Sequence, residues 1–533
     1  MLTYTPPEQR ALAPTYEKPW ILLLLVFAWL WPGVFSHDLW KPNEPQIHAA
    51  VNAFLAGGSA WQEAAGASPL YLWTAAAFKT LLAPHWADAY SAMRFASVLF
   101  TVVGLTACGL AGYHLLGRHQ GRSVVLILIG CAGLIEAGHF LGGMAVSFAA
   151  FGLLLYGFSA ARKRLIAAAM SLGVAWVLLA WDLGLLWVVA MVLLAINLLC
   201  VSEWNVKRYK LSLLGAAVVA LPLLAALALA MAKQAPDAFA HWWQTQSFGV
   251  FGGAADFSLG FELGFYLKNV LWFAFPAWPL AIWTARKVRL WQSDWGKLAL
   301  LWLAIAGVVL AFEPNASRHH LMAIMPPLAL LAAAKLDSLR RGPAAFFNWF
   351  GGMTFGLIAL LLWLAFAVIH TGYPASLASK AMTLNPYFVA DIDAMPMLVA
   401  ASFTPLWIWA LTRKHIKGRQ AVTNWAAGMT LAWALLMTLL LPWIDTMRSY
   451  RFIAEQVQTA WQAQNDDSCV YTHSELAKLA WQEYARAPLG NETCGYEIRQ
   501  MNAQQWQALP KEQVLWAGTR WTMSEEYFVL IKK

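Results

Sequence analysis

The chain has 533 residues, of which 60% are hydrophobic and only 12% are charged. An average soluble domain carries about 25% charged residues, so this composition excludes an ordinary soluble enzyme. The scarcity of polar low-complexity sequence also excludes a disordered chain. The net charge of +9 reflects basic residues in short loops between apolar runs. That distribution is typical of membrane topology and indicates no nucleic-acid partner.

A membrane-spanning helix needs about 20 apolar residues, because the hydrocarbon core is about 30 Å thick. Runs of about this length predict a polytopic α-helical membrane protein with about thirteen transmembrane helices. In chain order they lie near residues 19–35, 94–116, 123–138, 142–160, 165–181, 183–201, 212–232, 270–285, 297–312, 320–335, 349–370, 397–412 and 423–443.

Basic residues recur in every second loop of this arrangement, as at positions 162–164 and 207–210. By the positive-inside rule these loops are cytoplasmic, which places the N-terminus inside and the C-terminus outside. The first run lacks a small-residue cleavage site, so we expect a permanent helix there and not a signal peptide. The long segments on the outer side are residues 36–93, 233–269, 371–396 and 445–533.

Two of the outer segments carry recognisable secondary structure. In the first, apolar residues at three- and four-residue spacing predict helices at Pro45–Ala56 and Leu70–Leu82, which are suited to the membrane interface. Residues 445–533 predict a small α/β domain, separate from a membrane domain of residues 1–444. We expect its strands at Cys469–Thr472, Gly495–Arg499, Gln513–Gly518 and Glu526–Ile531, with a helix at Ser474–Ala485. Cys469 and Cys494 could form a disulfide in an oxidising compartment.

Ionisable residues near the outer membrane face are the candidates for chemistry, because charged side chains are costly in so apolar a chain. Asp38 and Glu44 follow the first span. They could act as a general base or bind a cation, or they could simply belong to a polar helix cap. Arg318 begins a basic trio with His319 and His320, which could hold phosphate.

Other polar positions are open to more than one interpretation. Glu136 and His139 lie between the third and fourth spans and serve either a site or packing. The polar and aromatic loop that ends at Lys268 either covers a site or connects two spans. Asp182 is interpreted as a turn residue. The sequence has no Cys/His pattern typical of a metal site.

Four motifs occur in an order that resembles one family. Residues 39–49 read LWKPNEPQIHA, close to a family pattern that opens a short helix after the first span. Residues 67–73 read ASPLYLW, close to a Lys-Pro-Pro-Leu element. Residues 275–279 read FPAWP, and residues 320–331 read HLMAIMPPLALL. With the predicted layout of spans and the C-terminal domain, these motifs resemble the GT-C glycosyltransferases, in the group of ArnT-like and protein O-mannosyltransferase-like enzymes.

The resemblance implies a GT-C-type fold and an inverting glycosyltransferase. Such an enzyme moves a sugar from a polyprenyl-phosphate carrier to a lipid, glycan or protein acceptor at the periplasmic face of the bacterial inner membrane. Glu44 or Asp38 would be the catalytic base. The residues expected to contact substrate are Arg318, His319, His320, His139, Lys268 and Tyr71. Metal-free catalysis is favoured over a divalent-metal site, because two carboxylates are a sparse ligand set.

The sequence also departs from the family at charged positions. Asn43 stands where the family has its catalytic Asp, Gly66 and Ala67 replace a Glu and a Lys, and the segment 142–147 lacks an expected Asp. These losses keep a second hypothesis open, a catalytically degenerate, lipid-binding scaffold that recruits a protein partner in the envelope. A transporter of the same lipid is a third hypothesis, disfavoured because the sequence shows no internal repeat.

Overall fold

The computed structural model describes residues 19–41, 43–59, 61, 68–83, 85–246, 262–313, 316–339, 341–412, 418–464, 469–474, 478–479, 481–485, 488–521 and 526–533. This part of the chain is mostly helical. Its helices α1 to α21 are Pro19–Leu30, Glu44–Leu55, Pro69–Leu82, Ala89–Leu116, Arg118–Ile129, Ala132–His139, Met144–Ala160, Leu165–Asp182, Leu185–Asn197, Lys207–Gln234, Pro236–Gln246, Leu263–Phe273, Ala277–Lys287, Asp294–Phe312, Met325–Ala334, Arg341–Thr371, Ala375–Leu384, Ala394–Leu411, Gly418–Leu439, Leu441–Arg448 and Arg451–Gln462.

The predicted apolar runs all fall on helices, but not every run is one long helix. In the described part of the chain, seven helices are long and apolar enough to cross a membrane. The number becomes eight if α5 and α6, which are bent by 80° at their junction, count as one span. The run at 270–285 is divided between α12 and α13 at Pro276, which has no backbone N–H to donate. The count of thirteen spans therefore stays a prediction.

The helical core is built around α4, α7, α8 and α10, which pack on one another. Helices α4 and α7 approach closely where Gly104 faces the ring of Phe148. A side chain at Gly104 would collide with that ring, so the close approach needs glycine there. Trp302 of α14 is fully buried and donates its indole N–H to the carbonyl of Ala323 at 2.9 Å. That bond holds the short 3₁₀ segment Arg318–Ala323, which carries the predicted basic trio, against the bundle.

The two helices predicted after the first span are confirmed as α2 and α3. The hydroxyl of Ser68 accepts a hydrogen bond from the backbone N–H of Tyr71 at 3.2 Å, which caps the start of α3. Buried apolar residues of α2 and α3, including Ile47 and Leu72, share a core with Met93 of α4. This core fixes the segment in front of α2, residues 37–44, against the start of α4.

The C-terminal part of the chain contains a four-stranded sheet in the order β1-β2-β4-β3, in which only β1 and β2 are parallel. Strands β1 to β4 are Val470–Thr472, Tyr496–Asn502, Val514–Thr519 and Glu526–Lys532, and they confirm the predicted strands. Helix α21 packs on the sheet through Ile453 and Val457. The predicted helix at 474–485 lies partly outside the described residues. The Cys469–Cys494 disulfide is confirmed.

Candidate functional site

The carboxylate of Glu44 is held by four hydrogen-bond donors. Its Oε1 accepts from Arg94 Nε at 3.1 Å and from the backbone N–H of Leu141 at 2.9 Å. Its Oε2 accepts from Arg94 Nη2 at 2.9 Å and from the backbone N–H of Trp40 at 2.8 Å. The side chain is only 3% exposed, and that of Arg94 is 0% exposed. Glu44 therefore ties together the 37–44 segment, α4 and the loop after α6.

These contacts also set the proton affinity of Glu44. Burial by itself would raise the pKa of Glu44, but the charges of Arg94 and His37 and the hydrogen bonds from Arg94 and Trp40 bring it below its ordinary value. A general base must reach the proton it abstracts and must have an affinity for it near the working pH. A buried carboxylate of low pKa with four donors meets neither condition. The geometry thus argues against the predicted role of Glu44 as the base.

Asp38, the other predicted base, lies at the contact between the first loop and the C-terminal domain. Arg451 of α21 binds both of its carboxylate oxygens, with Nε at 2.8 and 3.0 Å and Nη2 at 2.5 Å. The side chain of Asp38 is 15% exposed. Asp38 is thus more accessible than Glu44, but it is neutralised by a bidentate ion pair.

A third carboxylate, Asp445 of α20, completes this cluster. Its Oδ1 accepts the indole N–H of Trp40 at 2.6 Å, and its Oδ2 accepts the backbone N–H of Asp38 at 3.4 Å. Burial and the nearby Asp38 charge raise the pKa of Asp445 to about 7, although the hydrogen bond from Trp40 acts in the opposite direction. One turn further along α20, the guanidinium of Arg448 lies over the Trp40 ring, 5.8 Å from its centroid.

Arg318 begins the 3₁₀ segment Arg318–Ala323, and its guanidinium is exposed enough to meet an anion. Its Nη2 is 3.2 Å from Glu136 Oε1, and its side chain is 46% exposed. The guanidinium also lies 5.9 Å from the centroid of the Trp272 ring. Arg448 interacts electrostatically with the same Glu136. Glu136 is therefore paired with Arg318 and also lies within the electrostatic reach of Arg448, from a distant part of the chain.

His319 belongs to a partly buried polar cluster with Asp182 and Ser147. His319 Nε2 lies 3.0 Å from Asp182 Oδ2 and 2.9 Å from Ser147 Oγ, and the Ser147 hydroxyl donates to the same Asp182 oxygen. Because serine and aspartate both meet one ring nitrogen, this is not the serine-hydrolase arrangement, in which they use opposite nitrogens. The interpretation of Asp182 as a turn residue is wrong. Its side chain is only 1% exposed and packs beside Gly143.

Three of the remaining predicted contact residues, His320, His139 and Tyr71, contact groups other than Glu136. His320 Nδ1 lies 2.9 Å from the Tyr266 hydroxyl. Both ring nitrogens of the fully buried His139 face backbone carbonyls at 2.9 Å. Tyr71 is buried and its hydroxyl lies 2.8 Å from Ser97 Oγ. Lys268 is exposed on α12. His139 and Tyr71 are therefore held by buried partners, and their contact with a substrate stays a prediction.

A cavity of about 980 Å³ opens between α20 and the C-terminal sheet. Its charged lining consists of Lys41, Arg448, Arg520 and Glu526. Lys41 Nζ lies 2.7 Å from Glu526 Oε2, and Arg520 Nη2 lies 2.5 Å from the same oxygen. Arg448 therefore stands between this cavity and the Trp40–Asp445 cluster. Among the residues that the structure describes, no three His, Cys, Asp or Glu side chains come together to hold a metal ion.

The sequence reasoning missed Asp445, Arg448 and Arg451. All three follow the last predicted span, in the segment assigned to the C-terminal domain, so no motif pointed to them. One signal was present: Asp445 and Arg448 are three residues apart, the spacing that places two side chains on one helix face.

The helical bundle, the two helices of the first loop and the small C-terminal sheet define a GT-C-type membrane fold. Two solved structures match the chain along nearly its whole length. ArnT from Cupriavidus metallidurans in the apo state matches with a TM-score of 0.62 and 15% identity, covering 96% of this chain and 98% of that chain. The same protein bound to undecaprenyl phosphate matches with a TM-score of 0.61 and 15% identity, covering 96% and 97%. No protein-family profile and no curated protein matches the sequence. The match to the two ArnT structures confirms the predicted GT-C-type fold.

Proposed function

We propose that this protein is an inverting glycosyltransferase that uses a polyprenyl-phosphate-linked sugar. It would act at the periplasmic face of the bacterial inner membrane, on a lipid, glycan or protein acceptor. Support comes from the shared fold with ArnT, one structure of which binds undecaprenyl phosphate. The observation in this chain that carries the proposal is Arg318, whose partly exposed guanidinium pairs with Glu136.

Arg318 suits a lipid phosphate that enters from the bilayer. A guanidinium has five N–H donors, and the ion pair with Glu136 uses one nitrogen of the group. The exposed remainder can bind phosphate oxygens in a bidentate manner. His319, fixed by Asp182 and Ser147, lies next in the chain and would complete the pocket. In this proposal Arg318 and His319 hold the phosphate of the donor, and His320 supports the segment through Tyr266.

The catalytic base would come from the carboxylate cluster beside Trp40. The carboxylate of Glu44 accepts four hydrogen bonds, so in this proposal Glu44 holds the first loop in place and does not take the proton. Asp38 is the predicted base that keeps partial exposure. Inversion follows if the acceptor hydroxyl loses its proton to this cluster and attacks the anomeric carbon on the face opposite the departing phosphate.

One observation favours the second hypothesis, a catalytically degenerate scaffold that binds the lipid and recruits a partner protein. Asn43 cannot act as a base, and the neighbouring Glu44 is locked in a buried ion pair. If no other carboxylate serves, the fold would bind the carrier without transferring its sugar. The two hypotheses differ in one observable result: the transferase forms a glycosylated acceptor, and the scaffold does not.

The test compares envelope lipids and glycans by mass spectrometry in an intact strain, a deletion strain and deletion strains restored with single variants. We expect one sugar-sized mass addition to vanish on deletion, to return with the unchanged gene, and to stay strongly reduced with Arg318→Gln. Arg162→Gln is the matched control, because Arg162 also pairs with a carboxylate (Asp294, 2.8 Å) and lies over a tryptophan ring (Trp204, 5.0 Å), but in a loop predicted on the other side.

Arg162→Gln should restore the product. If deletion changes no sugar adduct while the protein is expressed, the transferase proposal fails and the scaffold hypothesis replaces it. If Arg318→Gln restores the product as fully as Arg162→Gln, the phosphate site has been placed wrongly.

A further inference from the structure

Three carboxylates lie in or beside the first-loop segment that starts at His37 and ends at Glu44. They differ in the groups that already bind them. Glu44 has four hydrogen-bond donors, two of which belong to the buried Arg94. Asp38 has a bidentate arginine on its two oxygens. Asp445 accepts two hydrogen bonds, both from uncharged groups, and has no ion-pair partner among the described residues. Asp445 is of intermediate exposure as a residue, and each of its oxygens accepts one hydrogen bond and so keeps capacity for another.

We propose that Asp445 is the general base of this protein, in place of the carboxylate that the first loop has lost at Asn43. The proposal rests on the transferase function proposed above. The indole of Trp40 and the backbone N–H of Asp38 each bind one oxygen of Asp445, so the carboxylate is held in one orientation beside the turn that contains Asn43.

The neighbouring residues fit this role. Arg448 follows Asp445 by three residues on the same helix, lies over the Trp40 ring and lines the cavity at the C-terminal sheet. Arg448 has no hydrogen bond or ion pair to another side chain among the described residues. A base and an arginine one turn apart suit a reaction in which a proton is removed from one reactant and negative charge develops on the other.

The step balances with these groups. The acceptor hydroxyl gives its proton to a carboxylate oxygen of Asp445, and its oxygen forms the new bond to the anomeric carbon of the sugar. The bond between that carbon and the phosphate oxygen breaks, and its electron pair leaves with the polyprenyl phosphate. Arg318 and Arg448 neutralise the added charge on the phosphate. The proton on Asp445 is then released to solvent.

The charged groups around Asp445 are consistent with a base that works near neutral pH. Asp38 faces it from the first loop, Arg94 of α4 acts on it electrostatically, and Arg451 of α21 pairs with Asp38. Burial and Asp38 raise the pKa of Asp445 to about 7, and Arg94 opposes them. A base must be deprotonated to act, so activity should rise with pH through about 7 and then level off. Removing the Asp38 charge should shift this rise to lower pH.

The experiment uses the purified full-length protein, added to membrane vesicles of the deletion strain that supply the native donor and acceptor. Asp445→Asn keeps the shape of the side chain and should lower the transfer rate by at least about a hundredfold, the usual contribution of a general base. Its inhibition constant for added undecaprenyl phosphate should stay within about threefold of the unchanged protein. Asp38→Asn should stay active at high pH, with its rise shifted to lower pH.

Asp445→Glu restores a carboxylate and should recover part of the rate, which separates chemistry from folding. Glu455→Gln, which removes an exposed carboxylate of α21, is the control and should leave rate and pH profile unchanged. If Asp445→Asn transfers at the normal rate, or if Asp38→Asn alone abolishes transfer, Asp445 is not the base although the transferase function stands. If the unchanged protein transfers nothing, the proposed function fails and this inference fails with it.

Discussion

Replacing Glu44 by glutamine should destabilise the fold, because all four contacts of its carboxylate are donors. Either orientation of the new amide would place its NH₂ group against two N–H groups, from Arg94 and Leu141 or from Arg94 and Trp40. The guanidinium of Arg94, which is buried, would also lose its counter-charge. Breaking a buried ion pair from one side costs about 3–5 kcal/mol, and we expect a loss of that size in the free energy of unfolding.

The measurement is a denaturant titration of the full-length protein in detergent, followed by tryptophan fluorescence. Glu455→Gln should change the free energy of unfolding by less than about 0.5 kcal/mol, as exposed substitutions usually do. The double variant Glu44→Gln with Arg94→Gln should be less destabilised than the sum of the single variants, because no charge is left unpaired. If Glu44→Gln unfolds within about 1 kcal/mol of the unchanged protein, the assignment of a structural role to this carboxylate is refuted.

The same residue predicts a pH dependence of stability. The folded-state pKa of Glu44 is lowered, so its contribution to stability is present above the ordinary glutamate value of about 4.3 and is lost as the pH falls below it. The unchanged protein should therefore lose stability on acidification below about pH 4 more steeply than Glu44→Gln does. Parallel curves for the two proteins would contradict the lowered pKa.

Three further predictions concern stability. Asp182→Asn should cost about 1–3 kcal/mol, because the buried Asp182 side chain would lose its charge-assisted contacts with His319 and Ser147. An unchanged unfolding midpoint would show that the cluster contributes little. Replacing Cys469 and Cys494 by serine should destabilise the C-terminal domain by about 2–4 kcal/mol. Limited proteolysis of that domain alone should then be faster, and equal proteolysis of the variant and the unchanged protein would argue against this contribution. Ser68→Ala should cost about 1 kcal/mol through the lost helix cap, and Ser379→Ala, on the exposed surface of α17, should cost less.

The features that could be predicted from the sequence are those set by local composition and spacing. Apolar runs lie on helices because lipid or a buried core must cover them, and the strands of the C-terminal domain lie within two or three residues of their predicted bounds. The Asp38–Glu44 segment and the Arg318 segment were found because charge is rare in so apolar a chain. The division of the runs into true spans could not be predicted, because the 80° bend between α5 and α6 depends on packing.

The partners of the charged residues could not be predicted either, because they come from distant parts of the chain. Asp445 meets Trp40 across 405 positions, and Asp182 meets His319 across 137. Both were missed for the same reason, since each follows an apolar run and resembles the polar end of a span. Hydropathy identifies such a position as a boundary and gives no information on which other boundary it packs against.

These long-range contacts affect how to interpret the charged residues that the resembling family motifs have and this sequence lacks. The segment 142–147 has no Asp, but a side chain at Gly143 would collide with Asp182, so a carboxylate from α8 occupies that space. Asn43 stands where the family motif that this segment resembles has an Asp, and Asp445 from α20 accepts a hydrogen bond from the indole of the nearby Trp40. A carboxylate acts through the position of its oxygens and its proton affinity, not through the helix that supplies it. The loss of a charged residue from a motif is therefore weak grounds for a dead site when the fold brings another carboxylate to the same place.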